Sequence, residues 1–263
     1  MLLSSNIVGE RAGPFEHLVD ARWVMAYNAG LGERSGDVHA LFPVCYEWPV
    51  SDAIRALPAL KPIAGLLVHA QHDLVIHRPL RVGETVCCSV RIAGVEPRSP
   101  GAFVVYRFET HDADGELVTV TNFGALYRGV KLDRAAGEAV KDPQPLDAKL
   151  EPVAEVAIPA TAAHVYTECA RIWNPIHTDV AYARAAGLPD IILHGTATLA
   201  YSISALLKRW PQDVRRVTCR FAGMVFMPST LSVHAAREGS AIQFETRNDR
   251  GDMVISRGRL LLE

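Results

Sequence analysis

The period of hydrophobic and polar positions changes several times along the chain. Residues 1 to about 16 hold no sustained period and read as an irregular lead-in. Val19 to Gly30 has helical spacing and stops at a glycine, with a loop over Gly32 to Asp37 behind it. Pro43 to Trp48 is a short apolar piece, and Pro49-Val50-Ser51-Asp52 caps a helix running through Ile54, Leu57 and Leu60. An apolar stretch, Gly65 to Ala70, leads into strand-like runs at His72–His77, Val86–Val90, Ala93–Val95, Ala102–Thr110 and Leu117–Tyr127, with Asp112-Ala113-Asp114-Gly115 as a hairpin turn. Lys131 to Pro152 then has linker composition, with lysines, aspartates and prolines and few large apolar residues.

The second half opens on a strand at Val153–Ile158 and a helical segment at His164–Ala170. Asn174-Pro175 is a turn, because proline fixes its own φ and biases the preceding residue away from helix. Thr178 or Asp179 then caps a short helix over Val180–Ala186, with Gly187 just past its end. Ile191 to Leu193 is a brief apolar run. Thr196 to Trp210 is a longer helix, whose Leu199, Ile203, Leu206 and Leu207 recur at helical spacing and bury one face. Four strand-like runs follow: Val214–Phe226, Thr230–Ala235, Ala241–Thr246 and Met253–Leu262.

The halves repeat each other. Phe108-Glu109-Thr110 precedes Gly115-Glu116-Leu117-Val118, and Phe244-Glu245-Thr246 precedes Gly251-Asp252-Met253-Val254, at one offset of 136 residues (108 to 244). Each half offers helices and then antiparallel strands that must bury one face on a helix. The expectation is an α+β fold with two antiparallel sheets, one per half, each around one main helix, and with superposable Phe108 and Phe244 hairpins. The boundaries expected are 1–130, a linker over 131–152, and 153–263.

Composition narrows the class. The 263 residues are 49% hydrophobic and 21% charged, ordinary values for a globular protein. A net charge of −2 argues against a general nucleic-acid or anionic-membrane surface, and no apolar run approaches the length of a membrane span. The first residues do not read as a signal peptide. Cys45, Cys87, Cys88, Cys169 and Cys219 are odd in number and fit no zinc spacing. They read as reduced thiols of a cytoplasmic protein, with Cys169 alone close enough to His177 to be weighed as a nucleophile. No phosphate loop or nucleophile elbow is present.

The chemistry concentrates in Trp173-Asn174-Pro175-Ile176-His177-Thr178-Asp179, with His194-Gly195 lying 17 residues beyond His177 (177 to 194). Asn-Pro-Ile-His-x-Asp followed by His-Gly resembles the motif of the MaoC-like family, (R)-specific enoyl-CoA hydratases and 3-hydroxyacyl-thioester dehydratases. The family pattern is roughly Ser-Gly-Asp-x-Asn-Pro-[Leu/Ile]-His-x-Asp. Ala170, Arg171 and Ile172 stand at its Ser-Gly-Asp positions, so the family's catalytic carboxylate falls on Ile172. The resemblance implies a double hotdog, two sheets each wrapped on a central helix. It implies one active site, borne by the second half, while the first half helps to receive the acyl chain. The substrate it implies is a 2-enoyl or 3-hydroxyacyl thioester of coenzyme A or a carrier protein, in fatty acid metabolism. No cofactor is implied beyond the coenzyme A or phosphopantetheine of that substrate.

The catalytic residues expected are His177, as acid or base near neutral pH, Gly195, whose N–H opens a helix and faces the thioester carbonyl, Asn174, holding water or substrate, and Glu168, one helical turn before Ile172 and a substitute for the missing carboxylate. His194, Ile172, Trp173, Arg171 and Tyr166 are expected around the substrate, Trp173 in the core or pocket wall and Tyr166 at the mouth. Asp179 is expected to cap, and His69, His72 and His77 to be sheet residues. Lys208-Arg209 and Arg215-Arg216 are weighed as phosphate contacts. Other hotdog chemistry, such as thioester hydrolysis or cyclisation, and a non-catalytic thioester-binding subunit stay open beside the hydratase. The partners expected are the acyl thioester and a second copy of the chain, with no nucleic acid and no membrane.

Overall fold

A computed structural model describes residues 1–139 and 141–263. The first half comprises β1 (Leu2–Leu3), β2 (Arg11–Leu18), α1 (Ala21–Gly30), α2 (Pro43–Arg55), β3 (Leu67–Ile76), β4 (Thr85–Arg98), β5 (Gly101–Asp112) and β6 (Leu117–Arg128). Short strands β7 (Lys131–Leu132) and β8 (Ala136–Gly137) follow. The second half comprises β9 (Glu151–Ile158), α3 (Ala162–Ala170), α4 (Val180–Ala185), α5 (Gly195–Arg209), β10 (Val214–Phe221), β11 (Ser229–Glu238), β12 (Ala241–Arg247) and β13 (Met253–Leu262).

The main sheet is antiparallel in the order β2-β4-β5-β6-β3-β10-β13-β12-β11-β9, with β8 beside β4. Read from either edge inward, each half has the same strand sequence. The two expected sheets are therefore joined edge to edge. β3 and β10 pair at the seam, with His72 opposite Cys219, so neither half leaves an inner edge strand unpaired. One hydrophobic core runs through both halves.

The repeat reaches the hydrogen bonds of the two hairpin turns. Asp112 N–H donates to the Glu116 carbonyl and Gly115 N–H to that of Asp112; Asn248 and Asp252, and Gly251 and Asn248, do the same 136 residues on (112 to 248). The Asp112 carboxylate accepts from the N–H groups of Asp114 and Glu116, and the Asn248 side-chain oxygen from those of Arg250 and Asp252. Gly115 and Gly251 have φ of +83° and +81°, the left-handed region that glycine enters at least cost. Phe108 and Phe244 are both fully buried in the strands leading into these turns.

Three local expectations change. The lead-in contains strand β2, paired to β4; the register slips between Ala12 and Phe15, where Gly13 runs so close that a Cβ would lie 2.8 Å from the Cys88 carbonyl oxygen. Residues 43–55 form one helix through Pro49 instead of an apolar piece and a separate helix. Burial of Val44, Cys45, Tyr46, Val50 and Ile54 outweighs the lost backbone hydrogen bond. Helix α5 is buried all round from Ala197 to Leu206, not on one face. Its Ala, Ser and Thr residues let neighbours approach closely, and Ser202 satisfies its hydroxyl on the Thr198 carbonyl and Thr246.

Candidate active site

The site loop is fixed at both ends by caps. Helix α3 ends because Arg171 adopts φ +57°, and the Ile172 N–H turns back to the Thr167 carbonyl at 3.0 Å. Ile172 is thereby tucked into the core, 4% exposed. The Asn174 side chain accepts from the Ile176 N–H and starts a single 3-10 turn, Pro175–His177. The Asp179 carboxylate accepts from the N–H groups of Ala181 and Tyr182 and starts α4, as expected. Past Gly187, the run Ile191–Leu193 is held between the two neighbouring segments. Ile192 N–H reaches the Ile176 carbonyl, and Leu193 N–H reaches that of Val225.

This framing presents His177. Its Nδ1 lies 2.8 Å from the Ile192 carbonyl oxygen. A carbonyl only accepts, so Nδ1 carries the proton and Nε2 is the basic atom of the neutral ring. The His177 ring stacks on that of His194, centroids 3.6 Å apart and planes 26° from parallel. His194 is buried, shares a hydrogen bond with the Thr167 hydroxyl at 3.3 Å, and is flanked by the Tyr166 ring at 5.0 Å. Burial pushes His177 down to about 4, against a smaller upward pull from the Ile192 carbonyl. Burial and the neighbouring His177 push His194 well below the ordinary range. Both rings are neutral at pH 7.

His194 precedes Gly195, the first residue of α5, whose first-turn N–H groups point out of the helix at its positive end. The arrangement sets a basic imidazole nitrogen beside a helix N-terminus. Such a pair can move a proton at Nε2 while the N–H groups hold an oxygen that gains charge.

Several expected site residues lie elsewhere. Glu168 is exposed on α3, while its neighbour Thr167 is buried and holds His194. The left-handed turn at Arg171 breaks the helical register that would have put Glu168 and Ile172 on one face. Ala163, Tyr166, Thr167 and Ala170 form the buried stripe at spacings of three and four. That stripe was the signal in the sequence for Thr167 as a supporting residue. Trp173 is 67% exposed, not core, while Ile172 before it is the residue tucked inward. Tyr166 is fully buried between His194 and Tyr27, not at the mouth. Arg171 bridges the halves, its guanidinium 4.1 Å over the Trp23 ring and 3.6 Å from the Asp20 carboxylate at the start of α1.

At Gly195, an added Cβ would meet the Phe221 ring at 3.2 Å, so a side chain packs where the sequence anticipated a ligand against the backbone. The basic residues at the far end of α5 are roughly 20 Å from Gly195 at 1.5 Å per residue. Arg216 pairs with Asp73 at 2.8 Å, Arg215 with Glu263, and Lys208 lies 3.9 Å from Glu33.

A sheet wrapped on a central helix, built twice and carrying its histidine pair once, defines a double-hotdog protein. Residues 142–257 match the MaoC like domain, and residues 26–121 the FAS1-like, dehydratase domain region. The second half carries a MaoC like domain. It is 28% identical over 221 residues to the peroxisomal enoyl-CoA hydratase 2 of Arabidopsis thaliana, covering 76% of this chain and 70% of that one. It is 27% identical over 236 residues to 3-hydroxyacyl-thioester dehydratase X of Mycobacterium tuberculosis, covering 88% and 81%. Against the peroxisomal multifunctional enzyme type 2 of Mus musculus, 28% identical over 220 residues and 79% of this chain, it spans only 29% of the relative. The MaoC-like dehydratase from Phytophthora capsici has the same fold, with a TM-score of 0.86 at 19% identity over 98% of this chain and 97% of that one.

Proposed function

We propose that this protein is a hydro-lyase, adding water to a 2-enoyl thioester or removing it from a 3-hydroxyacyl thioester of coenzyme A or a carrier protein. The family and its relatives support the reaction class. The observation that carries the reading is His177, locked by Ile192 into the tautomer with a basic Nε2 and stacked on His194, the residue that precedes α5. The thioester carbonyl oxygen docks on the first N–H groups of α5, which take up the negative charge as the enolate forms. Nε2 removes a proton from water as its oxygen bonds to the β-carbon, and the same nitrogen returns that proton to the α-carbon. One base then serves both steps, since position 172 holds isoleucine. No cofactor is used beyond the coenzyme A or phosphopantetheine of the substrate. The first half receives the acyl chain, a homodimer is the assembly, and five free thiols favour the cytoplasm. The Arabidopsis and mouse relatives are peroxisomal by name.

A buried Ile172 and an exposed Glu168 favour a second reading, a subunit that binds acyl thioesters without turning them over. Incubation with crotonyl-CoA separates the two. Loss of the enoyl absorbance, reduced about 10²-fold or more in His177→Ala, supports the hydro-lyase. Unchanged crotonyl-CoA together with measurable binding supports the subunit, and release of free thiol points to a thioesterase instead.

A further inference from the structure

Two histidines that the reaction above does not use lie on β3 of the first half, one aromatic ring away from Gly195. His69 stacks on Phe123 with centroids 3.7 Å apart, tilts against Phe221 at 4.5 Å, and meets His72 edge-on at 5.4 Å. Phe221 is the ring that a Cβ on Gly195 would touch at 3.2 Å. Gly195, His69, Phe123 and Phe221 are all half-buried, at the place where α5 begins. His72 behind it is 1% exposed.

Three of the four ring nitrogens here have no partner among the described residues. Nε2 of His69 and both ring nitrogens of His72 are buried and make no hydrogen bond. A buried nitrogen left unpaired costs about 1–3 kcal/mol, so a surface shaped only for an aliphatic chain would do better with phenylalanine at both positions. We propose that His69 and His72 form a polar subsite for the acyl chain, selecting thioesters that carry a carbonyl or hydroxyl oxygen beyond the reacting carbons. The inference rests on the acyl-thioester reading.

The rings suit a neutral oxygen. Burial pushes His72 down to about 4, and it pushes His69 well below its ordinary range with help from His72. Each ring is therefore neutral at pH 7, with one N–H to donate and one nitrogen to accept. Asp73, the nearest carboxylate in sequence, is held by Arg216 at 2.8 Å, and neither imidazole takes part in an ion pair among the described residues. A carbonyl or hydroxyl accepts such an N–H without bringing a buried charge, which a carboxylate would add at much greater cost.

The test uses hexanoyl-CoA and 5-oxohexanoyl-CoA, both saturated and so not hydrated, in calorimetric titrations of the whole chain. The wild type should bind the oxo ester about fivefold or more tighter, the worth of one net hydrogen bond. His69→Phe and His72→Phe should each bring the ratio near one and leave the hexanoyl-CoA affinity within about twofold. His69→Gln, which keeps a donor, should retain part of the preference if a phenylalanine variant fails to fold. A wild-type ratio near one, or a ratio kept in the phenylalanine variants, overturns the subsite. If crotonyl-CoA is hydrated while the ratio is near one, only the subsite falls. If neither thioester binds, the thioester reading falls with it.

Discussion

Acid should reveal the environment of His177 more sharply than any mutation. Hydration by the proposed route needs the neutral ring, because Nε2 takes the proton from water. The Nδ1 bond to Ile192 fixes the tautomer but does not keep the ring basic; burial dominates and lowers its pKa to about 4. At pH 5 such a ring is still roughly 90% neutral, whereas an ordinary histidine titrating near 6.5 would be only about 3% neutral, a difference of roughly 30-fold in active enzyme. The assay is kcat/KM for crotonyl-CoA between pH 4 and 8, which reports the free enzyme. The expected profile is level from pH 8 to about 5 and falls as pH approaches 4. A break between pH 6 and 7 would mean that the His177 ring is solvated when the substrate arrives, and the reasoning from burial would be wrong.

The same burial predicts loss of stability in acid. His39, His72 and His177 are each lowered to about 4 in the folded chain, so below pH 6.5 the unfolded chain binds more protons. Their contribution to stability is then full above pH 6.5 and declines toward pH 4; it outweighs the opposite contribution of buried Glu47, raised to about 7, and the urea midpoint should be lower at pH 5 than at pH 7.5. Thr167→Val removes the hydroxyl that holds Nε2 of buried His194. It should cost about 1–3 kcal/mol in urea unfolding and lower turnover, with Thr167→Ser restoring both. Glu168→Gln should leave turnover unchanged and stability within about 0.5 kcal/mol, since the side chain is exposed on α3.

The fold was legible because both halves carry the same local grammar. Gly115 and Gly251, each three residues after the residue that caps its turn, announce identical hairpins. Asp179 and Gly187 mark the two ends of α4 through backbone needs that few other residues meet. The seam was hidden, because pairing of β3 with β10 is non-local and the alternation of a strand does not name its partner. The histidine pair was legible from the motif, while its support was written only in the three-and-four spacing of α3. Thr167 and Glu168 are neighbours in sequence, and their opposite fates follow from the register of α3 and from a left-handed Arg171, a conformation that arginine seldom adopts. Exposed Trp173 ran against its hydrophobicity for a similar reason: Ile172 takes the inward place and the next side chain is left outside.

Gly195 admits two explanations, and one pair of substitutions separates them. If a glycine is needed only because Phe221 crowds the start of α5, then Gly195→Ala places a methyl group 3.2 Å from the ring atoms Cδ1 and Cε1. The ring must shift by a few tenths of an ångström, a modest overpacking that should cost about 1 kcal/mol or slightly more in urea unfolding. Trimming the ring in Gly195→Ala/Phe221→Leu should then return both stability and crotonyl-CoA turnover toward those of Phe221→Leu alone, a coupling readable as a double-mutant cycle. If the thioester also approaches this backbone, the methyl group stands between the carbonyl oxygen and the N–H groups of α5 whatever occupies position 221. Stability would recover in the double variant while KM stayed high and kcat low. The oxyanion role given to α5 predicts this second pattern, with rescue of folding but not of turnover. Full rescue of both would leave Gly195 as a packing residue and would require another group to hold the carbonyl.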